Sequence, residues 1–570
     1  MEYEEAVALL GAPGGPFEVV SERLMGRDMP VFAMRERSLR EKIANAAVHG
    51  DKECIVYEDR RITYKQFVEL VWGAGHALVD EFGLKKGDRI GILAFNQPDW
   101  LISLFGAASV GGIGVGLNGW WTTPELEYGL ADSGCRFLIV DEHLYERVEP
   151  ILSLLPALER VFYIGEHPPA GTTSIRNLLK PRSDMPTVPI AEDDPFVILY
   201  TSGTTGRSKG CITTHCGTIA QVTGIVYRIL LTALLDVDPE MGAEEVAAQA
   251  AEQKSTLLTS PLFHVAGLHS TVCTSLTVGA RLIFGSARFN AKETLALMER
   301  EKVTTWMAIP TLLQRLVEHP DVSKYDLSTL QGISTGGAPA APELAAKARE
   351  VLQTKVSLST TYGLTECHGM AASIAGAEYQ ARPNSVGRPI PVMQVKIIDP
   401  TGNPLPTGEA GEILLSGPTI TPGYWGREEE TRKTIRDGWL HTGDVGYVDE
   451  AGYIYISDRA KDMILRGGEN VYCVEIENCL QEHPDIEEAA IIGVPDKDLG
   501  ERVKAIVRPR AASHLTAMAV QDHVASRLAK FKVPSEVEFI DRPLPRNPAG
   551  KVMKNLLRDG DTSPQLTEHL

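Results

Sequence analysis

The residues best suited to chemistry lie in one loop, YTSGTTGRSKG at residues 200–210, which follows the hydrophobic strand-like run FVILY. Its glycines let the backbone turn tightly and expose N–H groups, its hydroxyl side chains add donors, and Arg207 and Lys209 add positive charge. These features suit a polyphosphate. The loop is not a Walker A sequence, because Gly206 is followed by Arg-Ser-Lys-Gly. A flexible linker is the alternative, which the strand directly before the loop disfavours.

Six further motifs follow this loop along the chain. They are PLFHVAG (261–267), STGGAPAAPEL (334–344), TTYGLTE (360–366), GWLHTGD (438–444), DRAKDMILRGGENVYCVEIE (458–477) and PRNPAGK (545–551). In this order the motifs resemble those of the superfamily of adenylate-forming enzymes, which includes acyl-CoA synthetases, amino-acid-activating domains and firefly luciferases. The resemblance extends over nearly the whole chain.

The resemblance implies a site for ATP and Mg²⁺. It implies that Tyr362 stacks on adenine, that Thr365 touches phosphate and that Glu366 holds Mg²⁺, a hard cation that prefers carboxylate and phosphate oxygens. It also implies that Asp444 accepts hydrogen bonds from both ribose hydroxyls and that Arg459 meets the nucleotide. Without the resemblance, Asp444 would be read as a turn-capping residue and Arg459 as part of a solvated charged run. The other cofactor-binding candidates in the motifs are Thr201, Ser202, Gly203, Thr204, Thr205, Gly206, Lys209, Gly336, Gly337, Ala338, Pro339, Gly363, Lys461, Gly467 and Gly468.

Four residues are candidates for catalysis: Lys551, Thr365, Glu366 and His264. Lys551 follows the Pro- and Gly-rich run RPLPRNPAG, and one ammonium on such a loop can neutralise the charge that develops as a carboxylate attacks the α-phosphate of ATP. By resemblance, His264 lies between the acyl site and the entry tunnel for a thiol. The alternatives are a solvated lysine near the C-terminus and a histidine that only serves the structure.

The reaction that the resemblance implies has two steps, adenylation of a carboxylic acid by MgATP and transfer of the acyl group to coenzyme A. Apolar or small pocket candidates such as Trp306 and Val265 favour a hydrophobic acid: a fatty, aryl-alkanoic or steroid-side-chain acid. Three alternatives stay open. They are an amino-acid-activating domain, a ligase that loads a carrier protein, and a nucleotide-binding regulator without catalysis.

The elements that must position these residues alternate between short apolar runs and amphipathic stretches. RIGILAF (89–95), a helix near 98–110, FLIVDE (137–142) and RVFYIG (160–165) are examples, and they indicate an α/β fold with largely parallel sheets. We predict an adenylation domain at residues 1–460, made of layered α/β sheets and a small β-barrel-like subdomain. A mobile α+β lid follows at residues 461–570, with its hinge at Lys461.

The net charge of −19 argues against a protein that coats nucleic acid, because phosphate neutralisation needs a basic surface. The segment 502–558 is an exception, since twelve basic residues face four acidic ones there, a net charge of +8. This excess would suit the phosphates of coenzyme A. The candidates for contacting these phosphates are Arg502, Lys530, Lys532 and Arg546.

The chain lacks the signs of export. Its eight cysteines are scattered without C-x-x-C pairs, and its N-terminus, MEYEEAVALLG, is acidic where a signal peptide would be basic. We therefore expect a cytoplasmic protein. The uncharged stretch 100–124 contains six glycines, so we predict a buried helix, a turn and a core strand there instead of a membrane span. The acidic segment 232–256, with a predicted surface helix, and the Trp120-Trp121 pair are candidates for reshaping either the acyl entrance or a subunit contact, the latter in a homodimer.

Overall fold

The computed structural model describes residues 1–201, 207–236, 252–337, 342–352, 356–459, 462–466, 469–511, 513–546 and 551–558. Within these residues, four sheets follow an N-terminal hairpin of β1 (Val19–Leu24) and β2 (Arg27–Phe32). Helices and strands are numbered along the chain.

The first sheet has seven strands in the order β11-β10-β6-β5-β7-β8-β9. All neighbours are parallel except β10 and β11, whose register pairs Thr201 with Lys209. The strands are β5 (Arg89–Leu93), β6 (Ile113–Gly116), β7 (Phe137–Asp141), β8 (Arg160–Ile164), β9 (Thr173–Ser174), β10 (Pro195–Thr201) and β11 (Lys209–Thr214).

The second sheet has nine strands in the order β18-β17-β16-β15-β14-β12-β13-β3-β4. Its six central strands are parallel, and antiparallel strands complete both edges. The strands are β3 (Glu53–Tyr57), β4 (Arg60–Thr63), β12 (Ser255–Leu258), β13 (Arg281–Phe284), β14 (Thr305–Ala308), β15 (Gly332–Thr335), β16 (Ser357–Tyr362), β17 (Ala372–Ala375) and β18 (Arg388–Pro389).

A layer of helices joins the two sheets into one core. Phe105 of α4 (Pro98–Ser109) packs 6.2 Å from Phe67 of α3 (Tyr64–His76) and 6.0 Å from Phe196 of β10, measured between ring centroids. The two helices can pack closely because Gly106 has no side chain: a Cβ there would lie 2.6 Å from the Cβ of Ala74. The α-helices described between residues 1 and 278 are α1 (Tyr3–Leu10), α2 (Leu39–Ala46), α3 (Tyr64–His76), α4 (Pro98–Ser109), α5 (Thr123–Ser133), α6 (Glu142–Val148), α7 (His215–Leu235) and α8 (Thr274–Val278).

The third sheet is antiparallel, with the order β19-β20-β22-β21 and β23 beside β22. Its strands are β19 (Gln394–Ile398), β20 (Gly411–Ser416), β21 (Ile435–Arg436), β22 (Trp439–Val448) and β23 (Ile454–Arg459). The helices between α8 and the end of this sheet are α9 (Ala291–Arg300), α10 (Pro310–Val317), α11 (Pro342–Leu352), α12 (Gly376–Ala381) and α13 (Glu428–Thr434).

The fourth sheet begins at Ile464, directly after the third one ends at Arg459. It has the order β25-β24-β27-β26, with β28 parallel to β27. Its strands are β24 (Ile464–Arg466), β25 (Glu469–Val471), β26 (Ile486–Asp496), β27 (Gly500–Pro509) and β28 (Glu536–Phe539), and its helices are α14 (Cys473–Gln481), α15 (Ala517–Ala525) and α16 (Lys554–Arg558).

These elements confirm the predicted α/β fold with a large N-terminal and a small C-terminal part. The runs at 89–95, 137–142 and 160–165 form β5, β7 and β8. The uncharged stretch 100–124 covers all but the first two residues of the buried helix α4 and the whole of the buried strand β6. Most of the predicted surface helix at 243–254 lies outside the described residues. Within the described part of the chain, α7 is long and apolar enough to cross a membrane, and half of its most apolar window is buried.

Three fully buried histidines hold backbone groups in the core. Leu39 N donates to His215 Nδ1 at 3.0 Å, and Thr214 N donates to His368 Nε2 at 2.8 Å. The third, His269, contacts the carbonyl of His368 through Nδ1 at 3.0 Å. Burial lowers the pKa of His215 and His269 to about 4 and that of His368 to about 3. All three are therefore neutral in the folded chain.

These histidines predict that acid destabilises the fold. The unfolded chain binds protons at histidine near its ordinary pKa, whereas the folded chain does not, so stability rises with pH between about 4 and 6.5. Lowering the pH from 7 to 5 should remove about 2 kcal/mol of unfolding free energy per buried histidine. Urea unfolding at both pH values measures this loss. His269→Gln should make the loss of unfolding free energy between pH 7 and pH 5 smaller by about 2 kcal/mol, whereas the exposed His143→Gln should leave that loss unchanged. An equal loss in both variants would contradict the prediction.

Candidate active site

One cavity of about 1340 Å³ gathers ten of the twelve predicted site residues that the structure describes. It is lined by residues of the first three sheets and by the segment 551–558 of the small C-terminal part. The predicted residues that line it are Thr201, Lys209, His264, Gly336, Gly337, Gly363, Thr365, Glu366, Arg459 and Lys551. The predicted residues that lie outside the described part of the chain are Ser202, Gly203, Thr204, Thr205, Gly206, Ala338, Pro339, Lys461, Gly467 and Gly468.

The hairpin of β10 and β11 brings the glycine-rich loop to this cavity. Thr201 and Lys209 face each other at the two ends of the loop, and both line the cavity. The Lys209 Nζ lies 5.2 Å from the ring centroid of Tyr424, within range of a cation–π contact. The Arg207 guanidinium lies 5.1 Å from the ring centroid of Tyr128 and does not line the cavity. Of the two cations in the loop, Lys209 is therefore the one at the site.

The turn after β16 presents Thr365 and Glu366. Glycine is required at its start, because a Cβ on Gly363 would lie 1.5 Å from the carbonyl oxygen of Gly369. Tyr424 Oη donates to Glu366 Oε1 at 2.8 Å, and Thr421 N donates to the Glu366 carbonyl at 2.8 Å. These two bonds hold the Glu366 carboxylate toward the cavity.

The residues at this turn fit Mg²⁺. This ion is usually held by one or two carboxylates together with substrate phosphates and waters, so a dedicated cluster is not needed. Glu366 offers a carboxylate beside the Thr365 hydroxyl, and both residues line the cavity. Among the described residues, no group of three or more His, Cys, Asp or Glu side chains could hold a metal without such substrate oxygens.

Asp444 and Tyr362 lie behind the cavity wall. Tyr362 Oη donates to Asp444 Oδ2 at 2.8 Å, and Arg459 Nε lies 3.1 Å from Asp444 Oδ1. Burial and the Asp444 charge raise the pKa of Tyr362 well above its ordinary value, so the phenol keeps its proton. Both carboxylate oxygens of Asp444 thus have partners. The contact of Asp444 with ribose and the stacking of Tyr362 on adenine remain predictions.

The other end of the cavity is apolar. It is lined by Trp120, Val265, Ala266, Phe289, Met307, Ile309 and Leu312. The prediction that Trp306 lines the pocket is wrong: its side chain is 1% exposed, Nε1 donates to Thr259 Oγ1, and Phe289 is stacked on it toward the cavity. The next two residues of β14, Met307 and Ala308, line the cavity in its place.

His264 borders this apolar end. Burial lowers the pKa of His264 to about 4, so the ring is neutral, and its Nε2 has no hydrogen-bond partner among the described residues. Asn96 fixes the loop that carries it: Nδ2 donates to Ser260 O and Oδ1 accepts from Leu262 N, both at 2.9 Å. Position and neutrality suit a residue beside an acyl group.

The small C-terminal part closes one side of the cavity with Tyr472, Lys551 and residues after Lys551. Lys554 Nζ pairs with Glu477 at 2.7 Å and Arg558 pairs with Asp462 at 3.0 Å. These ion pairs fasten the segment that carries Lys551 to the rest of the small part.

Two family models match this chain. The AMP-binding enzyme model matches residues 43–425, which is more than half of the chain, and the model of the AMP-binding enzyme C-terminal domain matches residues 475–551.

The chain belongs to the AMP-binding enzyme family. It is 37% identical to a feruloyl-CoA synthase of Amycolatopsis sp over 84% of this chain and 89% of that protein. It is 34% identical to a fatty acid–[acyl-carrier-protein] ligase of Streptomyces coeruleorubidus over 91% of this chain and 96% of that protein. The crystal structure of an anthranilate CoA ligase in complex with anthranoyl-AMP superimposes with a TM-score of 0.80 at 27% identity, covering 92% of this chain and 97% of that one. The chain is thus an enzyme, a ligase of the AMP-forming acyl-CoA ligase family.

Two residues of this AMP-binding enzyme were not found from the sequence. Tyr424 holds Glu366, and Asn96 holds the loop of His264. Trp120, of the tryptophan pair expected to reshape either the acyl entrance or a subunit contact, lines the acyl side of the cavity with its Nε1 buried. For Tyr424 and Asn96 the sequence carries no signal, because their roles depend on contacts between residues 58 and 166 positions apart.

The basic residues expected to meet coenzyme A are mostly paired within the small part of this AMP-binding enzyme. Arg502 pairs with Glu536 at 2.9 Å, Lys532 with Glu475 at 2.6 Å and Arg546 with Glu488 at 2.8 Å. Two of these partners, Glu475 and Glu488, precede the segment 502–558, so its net charge of +8 overstates the local field. Lys530 is exposed.

The contacts of Asp444 predict a role in nucleotide binding. Asp444→Asn removes a carboxylate that pairs with Arg459 and that would accept hydrogen bonds from the ribose hydroxyls. Loss of charge-assisted hydrogen bonds of this kind should weaken ATP binding about tenfold to a hundredfold. Calorimetric titration with ATP measures the affinity. Asp449→Asn is the matched control, because Asp449 caps the turn of the same β22–β23 hairpin away from the cavity. Equal ATP affinity in both variants would disprove the role.

Proposed function

We propose that this chain is an ATP-dependent carboxylic acid:CoA ligase that forms an acyl-adenylate. The observation that carries the proposal is the meeting of Lys209, Glu366, Arg459 and Lys551 on one cavity whose far end is apolar. Cations and a carboxylate suit MgATP at one end, and the apolar lining suits the acyl group at the other. A volume of about 1340 Å³ exceeds the roughly 300–1,000 Å³ of an ordinary ligand pocket, which suits a site for two substrates.

In the first half-reaction, a carboxylate oxygen of the acid attacks the α-phosphorus of ATP, and the bond to pyrophosphate breaks. Lys551 and Lys209 would stabilise the negative charge that builds up on the phosphate oxygens. Glu366, held by Tyr424, would hold Mg²⁺, which when bound neutralises phosphate charge. Fixing both substrates in one cavity supplies most of the remaining rate.

In the second half-reaction, the thiol of coenzyme A attacks the acyl carbon, and AMP leaves. We propose that residues 461–570 act as a lid that turns about Lys461 between the two steps, which would withdraw Lys551 from the cavity. The separation of the third and fourth sheets at residues 459–464 supports such a hinge. The neutral His264 would border the path of the thiol without adding a charge beside it.

The acyl end of the cavity favours a hydrophobic acid. Its lining by Phe289, Met307, Ile309 and Leu312 has no charged side chain, and the stack of Phe289 on Trp306 forms a flat wall. Such a surface suits an aryl-alkanoic, fatty or steroid-side-chain acid. The similarity to a feruloyl-CoA synthase and to a fatty acid ligase supports both aromatic and aliphatic members of this class.

A panel of acids tests the proposal. Fatty, aromatic, arylpropionic and steroid carboxylic acids are compared by AMP release in the presence and absence of CoA. We expect CoA-dependent AMP release with at least one hydrophobic acid and none with polar amino acids. Release that depends on an acyl carrier protein, and not on CoA, would favour the carrier-loading alternative, which the similarity to the fatty acid–[acyl-carrier-protein] ligase supports.

Lys551 is predicted to serve the first half-reaction alone. Lys551→Ala should lower acid-dependent pyrophosphate exchange by about a hundredfold or more, because a charge aimed at the developing anion is lost. Thioester formation from preformed acyl-adenylate and CoA should stay within about threefold of the unsubstituted enzyme, because that step does not use this charge. The exposed Lys497→Ala is the control, because Lys497 belongs to the small part and lies outside both the cavity lining and the segment 502–558. An equal loss in both half-reactions would refute the assignment.

A further inference from the structure

Asp458 is a buried carboxylate at the junction between the third sheet and the small C-terminal part. The residue is 2% exposed. Its Oδ1 accepts a hydrogen bond from Arg459 N at 2.7 Å, and its Oδ2 accepts one from Cys473 N, the first residue of α14. One side chain thus contacts both sides of the proposed hinge.

Helix α14 has no cap of its own. The residue before it, Tyr472, makes no capping hydrogen bond with its side chain, and an aromatic ring is poorly suited to do so. The first N–H groups of a helix lack partners within the helix and carry partial positive charge. Asp458 therefore supplies from the large domain both the acceptor and the negative charge that this lid helix needs.

The same helix anchors the segment of Lys551. Glu477 of α14 pairs with Lys554 at 2.7 Å and also accepts from Ile491 N at 2.8 Å. Burial raises the pKa of Asp458, although the charge of Lys554 acts in the opposite direction. Burial alone would lower the pKa of Lys554, but the nearby Glu477 and Asp458 hold that pKa above its ordinary value. Lys554 is three residues after Lys551, so the position of α14 sets the position of Lys551.

On the side of the large domain, Asp458 orders the nucleotide residues. Its bond to Arg459 N fixes the backbone from which the Arg459 side chain reaches Asp444 at 3.1 Å. The strand register pairs Asp444 with Arg459 and Val445 with Asp458. The Asp458 carboxylate thus contacts both the strand that carries Arg459 and the helix that anchors the segment of Lys551.

We propose that Asp458 is a positioning residue that clamps the lid helix α14 onto the large domain and so holds Lys551 at the cavity for adenylation. The clamp rests on the proposed function, in which Lys551 acts in the first half-reaction and the lid turns for the second. Turning about residue 461 carries α14 away from Asp458, so the clamp acts in the first half-reaction only.

Two substitutions remove the clamp from opposite sides. Asp458→Ala removes the acceptor. Cys473→Pro removes the N–H donor at the first helical position, where proline is tolerated, and Tyr472 already has the extended conformation that a following proline requires (φ −87°, ψ 117°). Each should lower acid-dependent pyrophosphate exchange about tenfold or more, because a charge-assisted cap is lost. Thioester formation from preformed acyl-adenylate should change less than about threefold.

Matched controls separate the clamp from general damage. Cys473→Ala removes the thiol that donates to Asp462 O but keeps the N–H, and Asp449→Ala removes a carboxylate that caps a turn within the same hairpin as Asp458. We expect both controls to keep the ratio of the two half-reactions. Clamp variants that lower both half-reactions equally, or neither, would overturn the proposal.

Amide hydrogen exchange tests the clamp without catalysis. In the full chain without substrates, Asp458→Ala should speed exchange in peptides that cover the first turn of α14, whereas Asp449→Ala should not. Unchanged exchange would overturn the clamp itself. An unsubstituted chain that makes no acyl-adenylate from any acid would instead contradict the proposed function, even where the exchange result supports the contact.

Discussion

Antiparallel pairing of β22 with β23 is the contact on which the site depends. Its register sets Asp444, behind the cavity wall, opposite Arg459, which lines the cavity. It also sets Asp458 at the end of the large domain, against the first turn of α14. Because the two strands are joined by a short hairpin, this geometry is local and robust. Every other site residue must be brought to this hairpin by long-range packing: Glu366 by its bond to Tyr424, and Lys551 by the ion pairs of its segment.

Charge in this enzyme is handled locally. The total of −19 describes the whole chain, whereas the cavity brings Lys209, Arg459 and Lys551 together with the carboxylate of Glu366. Most basic side chains of the small part pair with its own acidic ones, so the charge available to a nucleotide comes from a few positioned cations. The apolar end of the same cavity needs no charge, which explains why its histidine, His264, can be buried and neutral.

Local signals in the sequence were enough to predict the α/β class and the strands at residues 89–95, 137–142 and 196–200, because apolar runs and glycine turns act within a few positions. The motifs also predicted ten residues that line the cavity, among them Lys209, Glu366 and Lys551. Contacts between distant elements could not be predicted. Trp306 shows this limit, since only packing in the folded protein, with Phe289 stacked on the indole, decides that residues 307 and 308 meet the cavity and residue 306 does not. The same holds for Tyr424 and for the carboxylate partners of Lys532 and Arg546, which come from other elements of the fold.

The most direct test of this account is to trap its intermediate. The enzyme is mixed with MgATP and a hydrophobic acid that it accepts, without CoA, quenched, and examined by mass spectrometry for acyl-AMP, and CoA is then added to a parallel sample. We predict an acyl-adenylate at about one per enzyme that disappears on addition of CoA as acyl-CoA and AMP appear, because the cavity encloses the intermediate until the thiol arrives. AMP and acyl-CoA formed without any acyl-adenylate, or ATP cleaved to ADP, would contradict the account.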